Sequence, residues 1–259
     1  MKREKKQHNL PHQIVLRPIV TEKISRVQEE ENNIYAFEVK RSADKHAIKD
    51  AIEALGIPHV EVDLILVDGR SVGFTHTLQD GERIAVYPVF ESLDISPVTR
   101  LRERPLRSPR FICDVHLGKL ARRLRLLGFD TLYRDDYDDP EIARLSAEQK
   151  RCVLTRDVGL LKRTEVERGY WLRSTEIREQ LTEVVTRLDL ANAITPFTRC
   201  TACNGPVAPV KKADIEHRLE PQTRQHYDDF KRCLDCDQLY WKGSHYDSLL
   251  RDIRNLRNP

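Results

Sequence analysis

From Phe111 onward the chain alternates short apolar runs with longer amphipathic stretches. Phe111-Ile112-Cys113, Thr131-Leu132-Tyr133 and Cys152-Val153-Leu154-Thr155 are three or four residues long, and an acidic residue or cluster follows each. Runs of that length suit buried strands rather than helices. Between the first two, Leu117, Leu120, Ala121, Leu124 and Leu127 recur at helical spacing, Lys119, Arg122, Arg123 and Arg125 fall elsewhere, and Gly128 closes the pattern. A second helix is predicted from about Pro140. Strands alternating with helices predict an α/β unit built on a parallel sheet. The N-terminal third reads differently. A β-branched and aromatic run at 34–39 precedes a helical pattern at 47–55 that Gly56 and Pro58 stop, and strand-like runs follow at 62–67 and 84–89. Asp68-Gly69 and Asp80-Gly81 supply turn chemistry, so this block predicts a small α+β domain. The last block, from about Ile194, carries four cysteines and ends in a helix-compatible segment after His245.

Composition narrows the class. Of 259 residues, 33% are charged and 39% hydrophobic, and mean hydropathy is −0.58. No run approaches the roughly 18 apolar residues a bilayer span needs, which excludes a membrane-spanning helix. The opening MKREKKQHNLPHQ is basic and leads into no apolar signal region, so a cytoplasmic location is expected. In that compartment six cysteines do not suggest a disulfide framework, and Cys113 and Cys152, inside strand-like runs, read as buried inert thiols.

A net charge of +3 is too small to argue for nucleic acid, but its distribution is uneven. Lys2, Arg3, Lys5 and Lys6 form a basic tail. Arg100, Arg102, Arg104, Arg107 and Arg110 share a stretch with Pro97, Pro105 and Pro109 that reads either as a phosphate-neutralising patch or as a solvated linker.

Two carboxylates, Asp114 and Asp157, each stand just beyond a predicted strand. Ligands collect at the carboxyl ends of strands in open parallel sheets, so these side chains can converge despite their separation in sequence. The acidic cluster Asp135, Asp136, Asp138, Asp139 and Glu141, beyond a third strand, can join them. Converging carboxylates repel and raise one another's pKa unless a divalent cation neutralises them, and Mg²⁺ or Mn²⁺ suits an all-oxygen shell with open water positions. Such a centre fits phosphodiester hydrolysis. Helix caps and turns are the competing explanation for aspartates in these places.

Cys200-Thr-Ala-Cys203 and Cys233-Leu-Asp-Cys236 make two C-x₂-C knuckles, whose four thiolates complete the tetrahedral shell preferred by Zn²⁺. Asn204-Gly205 and Asp237 suit the tight turns after them. A closed shell leaves no place for substrate, so this zinc is expected to be structural. Tyr240 and Trp241 can stack on bases or cover the ribbon's thin core, and Lys242 or His245 can meet phosphate.

The string from Phe111 to Asp130, with Tyr133-Arg-Asp-Asp136 and Val153-Leu-Thr-Arg-Asp157, resembles the Mut-seven C-terminal RNase family, from about Pro105 to the end. The resemblance implies a PIN-like fold with a zinc ribbon and a Mg²⁺- or Mn²⁺-dependent ribonuclease. Asp114 then matches the first metal-binding acid and Asp157 the last. For the middle acid Asp139 is favoured, with Asp136 next and Asp135 a further candidate. Lys119 and Arg156 lie near these acids in sequence, where they serve either as phosphate contacts or as exposed charges. Residues from about 48 to 93, including Val67-Asp-Gly-Arg70 and Leu78-Gln-Asp-Gly-Glu-Arg-Ile-Ala-Val-Tyr-Pro88, resemble the ubiquitin-like domain that precedes this RNase. Residues 14–50, with Val15-Leu-Arg-Pro-Ile-Val-Thr-Glu-Lys23 and Asn33-Ile-Tyr-Ala-Phe-Glu-Val39, are similar to the opening of bacterial large-subunit ribosomal protein L twenty-three, which implies ribosomal RNA as a further partner.

The expected organisation is a basic tail (1–13), a ubiquitin-like α+β domain (14–95), an Arg/Pro linker (96–110), a PIN-like α/β domain (111–193), and a zinc ribbon with a C-terminal helix (194–259). The expected activity is metal-dependent RNA hydrolysis at Asp114, Asp139, Asp157 and Asp136. A non-catalytic RNA-binding protein using Trp241, Lys242 and the basic segments is the alternative.

Overall fold

The computed structural model describes residues 47–88, 99–101, 109–244 and 246–257, together with the backbone of 24–26 and 35–39. The basic tail, most of the Arg/Pro stretch and His245 lie outside the described residues. The chain divides into two compact units, one formed by residues 1–57, 62–88 and 95–104, the other by 58–61, 89–94 and 105–259.

In the first unit, β1 (Ile24–Arg26) and β2 (Tyr35–Val39) precede α1 (Ile48–Ala54), which β3 (Val62–Val67), β4 (Arg70–Val72) and β5 (Arg83–Pro88) follow. The strands form one antiparallel sheet in the order β1-β2-β5-β3-β4. Helical spacing puts Ile48, Ala51 and Ile52 on one buried face of α1, packed with Ile65, Ile84 and Val86 of the sheet. The helix stops where expected, with Gly56 at φ 81°. Asp68 and Gly69, at φ 48° and 79°, make the β3–β4 turn, and the Asp68 carboxylate accepts the Arg83 N–H at 3.1 Å.

The second unit opens with β6 (Arg110–Cys113), so Arg110 belongs to a strand rather than to the linker that was expected to include it. A one-turn 3₁₀ helix leads into α2 (Gly118–Leu126), then β7 (Asp130–Leu132), α3 (Asp139–Gln149), β8 (Cys152–Thr155), α4 (Val158–Leu161), β9 (Gly169–Trp171) and α5 (Ile177–Arg187). The sheet is parallel, in the order β7-β6-β8-β9. Alternation along each strand splits the core between the two faces. Phe111, Cys113, Cys152 and Leu154 pack with the leucines of α2 and with Val184 and Val185 of α5, whereas Ile112 and Val153 pack with Ile142, Leu160 and Leu161 of α3 and α4. Cys113 and Cys152 are buried free thiols, and burial pushes the Cys113 thiol far above its usual range.

β10 (Val207–Val210), α6 (Lys212–Ile215), α7 (Pro221–His226), β11 (Phe230–Cys233) and β12 (Leu239–Trp241) complete a separate three-stranded antiparallel sheet carrying the cysteines. The closing helix α8 (Tyr246–Arg257) buries Ile253 in the core shared by α2 and α5.

Gly128 ends α2 at φ 97°, and a Cβ there would lie 2.2 Å from the Thr195 carbonyl oxygen. That crowding follows from pairing, because the Thr195 N–H bonds the Leu127 carbonyl at 2.9 Å. Gly128→Ala is therefore expected to cost about 2 kcal/mol or more, from the left-handed backbone and the forced displacement. Urea unfolding of the two proteins would measure it, and equal midpoints would refute it.

Candidate active site and metal centre

β6 and β8 are neighbours, yet the chain visits β7 on the far side of β6 between them. The order of strands therefore reverses at this pair, which makes the crevice beyond their carboxyl ends the natural ligand site of the sheet. Asp114 and Asp157 stand there. The Asp114 N–H bonds the Leu154 carbonyl at 3.0 Å, extending the parallel ladder by one residue, and the residue is only 7% exposed.

The residue that joins the two acids is Thr155, fully buried at the end of β8. Its hydroxyl donates to Asp114 Oδ2 at 2.7 Å and accepts the Asp157 N–H at 2.8 Å. A hydroxyl has one proton to give, so by giving it to Asp114 Oδ2 Thr155 fixes the orientation of that carboxylate. Asp157 caps α4, its Oδ1 accepting the Gly159 N–H at 2.6 Å. The cap explanation for this residue and its place at the strand end therefore hold together.

Asp139 is the first residue of α3, and its neighbour Asp138 supplies the cap by accepting the Glu141 N–H at 2.8 Å. Its pKa is raised, first by desolvation and then by the negative charges of Asp157 and Asp114, while Arg163 pulls it back. Three acids from separate loops thus share one electrostatic neighbourhood. They do not form a closed shell: among the described residues, the four cysteines are the only group of three or more His, Cys, Asp and Glu residues whose ligand atoms all lie within 4.8 Å.

The other sequence candidates stand apart in their bonding. Asp136 is exposed and pairs with Arg134 at 2.5 Å, and Asp135 is exposed. Lys119 is exposed in the first turn of α2. Arg156 is exposed next to Asp157, and its carbonyl accepts the Trp171 indole N–H at 3.2 Å. Sequence reasoning missed Thr155, which reads there as an ordinary β-former, although its place two residues before Asp157 was a usable signal. It also missed Arg163, which becomes a neighbour of Asp139 only through the fold.

The cysteines converge as their spacing predicts. Cys200 and Cys236 Sγ are 3.6 Å apart and Cys203 and Cys233 Sγ 3.4 Å apart. Zn–S bonds of about 2.3 Å in a tetrahedron put sulfurs about 3.8 Å apart, so the donor set fits Zn²⁺. Asn204 and Asp237 take the positive φ of the knuckle turns, 73° and 63°. The Cys203 and Gly205 N–H groups point at Cys200 and Cys203 Sγ, each at 3.4 Å. Tyr240 turns its hydroxyl to Cys200 Sγ and to the Thr201 N–H, both at 3.0 Å, which gives it a place in the ribbon's own structure. Trp241 remains 42% exposed, and Lys242 reaches Asp229 at 3.3 Å.

The ribbon is tied to the parallel sheet. Arg125, expected on the polar side of α2, is buried, and it donates to the carbonyls of Thr131 at 2.9 Å, Thr201 at 3.2 Å and Ala202 at 2.7 Å. Asn204 accepts the Thr131 N–H at 3.0 Å and donates to Asp130 at 2.8 Å. Burial pushes the Asp130 carboxyl up, but hydrogen bonds from Arg151 and Asn204 and the charges of Arg151 and Arg199 outweigh it and hold the group below its usual range.

A parallel α/β domain with acids at its strand ends, fused to a four-cysteine ribbon, defines the class. The family model described as the Mut7-C RNAse domain matches residues 109–253, and the chain belongs to that family. The model described as Mut7-C ubiquitin matches residues 28–94, so the ubiquitin-like domain precedes the RNase domain in this chain. Curated relatives are large ribosomal subunit proteins uL23. That of Hydrogenobaculum sp. is 49% identical over 45 residues, covering 17% of this chain and 44% of the relative. That of Rippkaea orientalis is 39% identical over 93 residues, covering 29% and 87%. That of Syntrophotalea carbinolica is 47% identical over 60 residues, covering 23% and 62%. The chain thus spans less than two thirds of the first and third of these, and the 29% share is larger than residues 14–50 make up, so the similarity extends beyond that segment. Among the described residues no helix is long and apolar enough to cross a membrane.

Asn204→Ala would leave the buried Thr131 N–H without its acceptor and put alanine at positive φ. A loss of about 2 kcal/mol or more is expected, and zinc removal by a chelator should lower the melting temperature further, with Zn²⁺ but not Mg²⁺ restoring it. A chelator-insensitive melt would refute the zinc assignment.

Proposed function

We propose that the second unit is a Mg²⁺- or Mn²⁺-dependent ribonuclease that hydrolyses RNA phosphodiester bonds at Asp114, Asp139 and Asp157. The observation that carries this reading is the Thr155 hydroxyl binding Asp114 and the Asp157 backbone together, with Asp139 close enough for both acids to raise its pKa. Such a concentration of negative charge, set in the crevice where the strand order reverses, suits a divalent cation and, through it, a phosphate. When bound, the cation supplies a polarised phosphate and a water that ionises near neutral pH. The chain's own residues fix the geometry. Thr155 holds one Asp114 oxygen and leaves the other free of that bond, Asp157 is oriented by the α4 amide it caps, and Asp139 projects from the first turn of α3. Lys119 and Arg156, flanking Asp114 and Asp157 in sequence, are the proposed phosphate contacts, and Asp136 is a reserve ligand.

Incubating zinc-loaded protein with a labelled RNA pool, with and without Mn²⁺, tests this. Metal-dependent products are expected from the parent, and none from Asp114→Asn or Asp157→Asn. Thr155→Val keeps the side chain's shape but removes its hydroxyl, and is expected to lose about 10–100-fold in activity, as outer-shell partners of metal ligands do. Full activity in a folded Asp114→Asn protein would refute the site. RNA binding that survives Mg²⁺ chelation with no cleavage by the parent would favour the non-catalytic reading.

Asp139 also gives a pH prediction. A raised pKa means the folded, Mg²⁺-free chain holds that proton more tightly than the unfolded chain does. Ionising it therefore costs stability, fully so above the raised pKa, and the cost disappears as pH falls below the unfolded value of about 3.9. Asp139→Asn should melt above the parent near neutral pH and converge with it in acid, and should lose the parent's stabilisation by Mn²⁺. A variant that melts lower at neutral pH would contradict the raised pKa.

A further inference from the structure

Helix α2 and the ribbon enclose a groove of about 1280 Å³ that lies outside the acid cluster. Arg122 and Arg123 line it from the helix, Lys231 and Trp241 from the ribbon sheet, and Phe197 and Tyr246 from the segments flanking the ribbon. Its charge is one-sided. Two carboxylates lie on the rim, but Asp228 pairs with Lys212 at 2.8 Å and Asp229 with Lys242 at 3.3 Å. Lys231 donates to the Phe197 carbonyl at 3.2 Å, a bond that leaves its charge uncancelled, and Arg122 and Arg123 are exposed. Trp241, in the same groove, is one of two large apolar side chains exposed among the described residues.

Uncancelled cations around an exposed indole fit a strand that offers phosphates and an unpaired base together; a duplex keeps its base faces hidden. The groove also continues the acid site. His116, Lys119, Arg122 and Arg123 are all exposed, at a spacing that lines one side of the 3₁₀ turn and of α2, beginning beside Asp114. From Lys119 to Leu126 the helix rises only about 10 Å.

We propose that this groove binds an unpaired stretch of the RNA whose backbone crosses the acids, with Trp241 stacking on a base and Arg122, Arg123 and Lys231 holding phosphates. The zinc ribbon thereby selects single-stranded over duplex RNA. The link to the acids rests on the ribonuclease reading; the groove's binding does not.

Binding is therefore measured apart from cleavage, by fluorescence anisotropy of labelled single-stranded oligoadenylate and of blunt duplex RNA on the full, zinc-loaded chain carrying Asp114→Asn. Tighter binding of the single strand is expected. Trp241→Ala should weaken it about tenfold while Trp241→Phe, which keeps a ring, retains most of it. Arg122→Gln with Arg123→Gln should weaken it comparably and reduce the salt slope by about 2. Unchanged zinc content and melting temperature show each variant is folded, and the Phe and Gln variants decide the matter if Trp241→Ala is not. Equal affinity for duplex, unchanged affinity in these variants, or no RNA binding, as a protein occupant would give, overturns the proposal. Groove-dependent binding with no cleavage by the parent would instead overturn only the ribonuclease reading.

Discussion

The buried guanidinium of Arg125 is the constraint on which the second unit depends. It is buried on α2, where a charge is tolerated only if it finds acceptors. Three carbonyls are those acceptors, one at β7 and two in the first cysteine knuckle. The parallel sheet therefore supplies the ribbon with its anchor, and the ribbon supplies the α/β core with acceptors it would otherwise lack. Asn204 repeats the arrangement from the other direction, reaching out of the knuckle to Thr131 and Asp130. A zinc ion held by the four cysteines would, by keeping the knuckle in shape, keep in place the acceptors for an α/β-domain charge. The binding energy of such an ion would then stabilise more than the ribbon.

That coupling bears on function because α2 links three features. The acid Asp114 precedes it, Arg125 anchors its inner face, and its outer side leads towards the ribbon. A helix fixed at its core by the ribbon presents its outer charges in a constant relation to both Asp114 and Trp241. An exposed helix without that anchor would rely on its leucine stripe alone, and such a stripe permits sliding that hydrogen bonds to fixed carbonyls do not.

Much of this was legible in the sequence because the signals were local. Short apolar runs gave β6, β7 and β8, the leucine spacing gave α2, and two C-x₂-C pairs gave the metal centre. Other elements were missed: β9 is only Gly169-Tyr170-Trp171 and α4 is a single turn, while α5 went unread although Ile177, Leu181, Val184 and Val185 recur at helical spacing. Arg125 was assigned to the polar side because an arginine reads as exposed, and only the knuckle, more than 70 residues on, supplies what buries it. Tyr240's bonds to Cys200 and Thr201 were invisible because a sequence shows an aromatic ring but not where its hydroxyl points. Asp138 and Asp139 were inseparable by pattern. Adjacent acids at a helix start look alike until one is seen to accept the Glu141 N–H and the other to feel Asp114 and Asp157.

Two aspartates of this unit show how the surroundings push the same side chain in opposite directions. Asp130 and Asp139 each stand in the β6–β8 region of the chain, and burial raises both. At Asp130 the fold answers with Arg151, Asn204 and Arg199, and the carboxyl ends below its usual range, ionised and committed. At Asp139 the nearest answers are two more carboxylates, only partly offset by Arg163, and the group ends above its usual range. A chain that places arginine and asparagine so effectively around one acid is not short of means to neutralise another. Leaving Asp139 beside Asp114 and Asp157 without a dedicated partner costs stability, a cost that a ligand of opposite charge would relieve. The same reasoning explains why Thr155, rather than a cation from the protein, joins Asp114 to Asp157: a hydroxyl orients the carboxylate without consuming its charge.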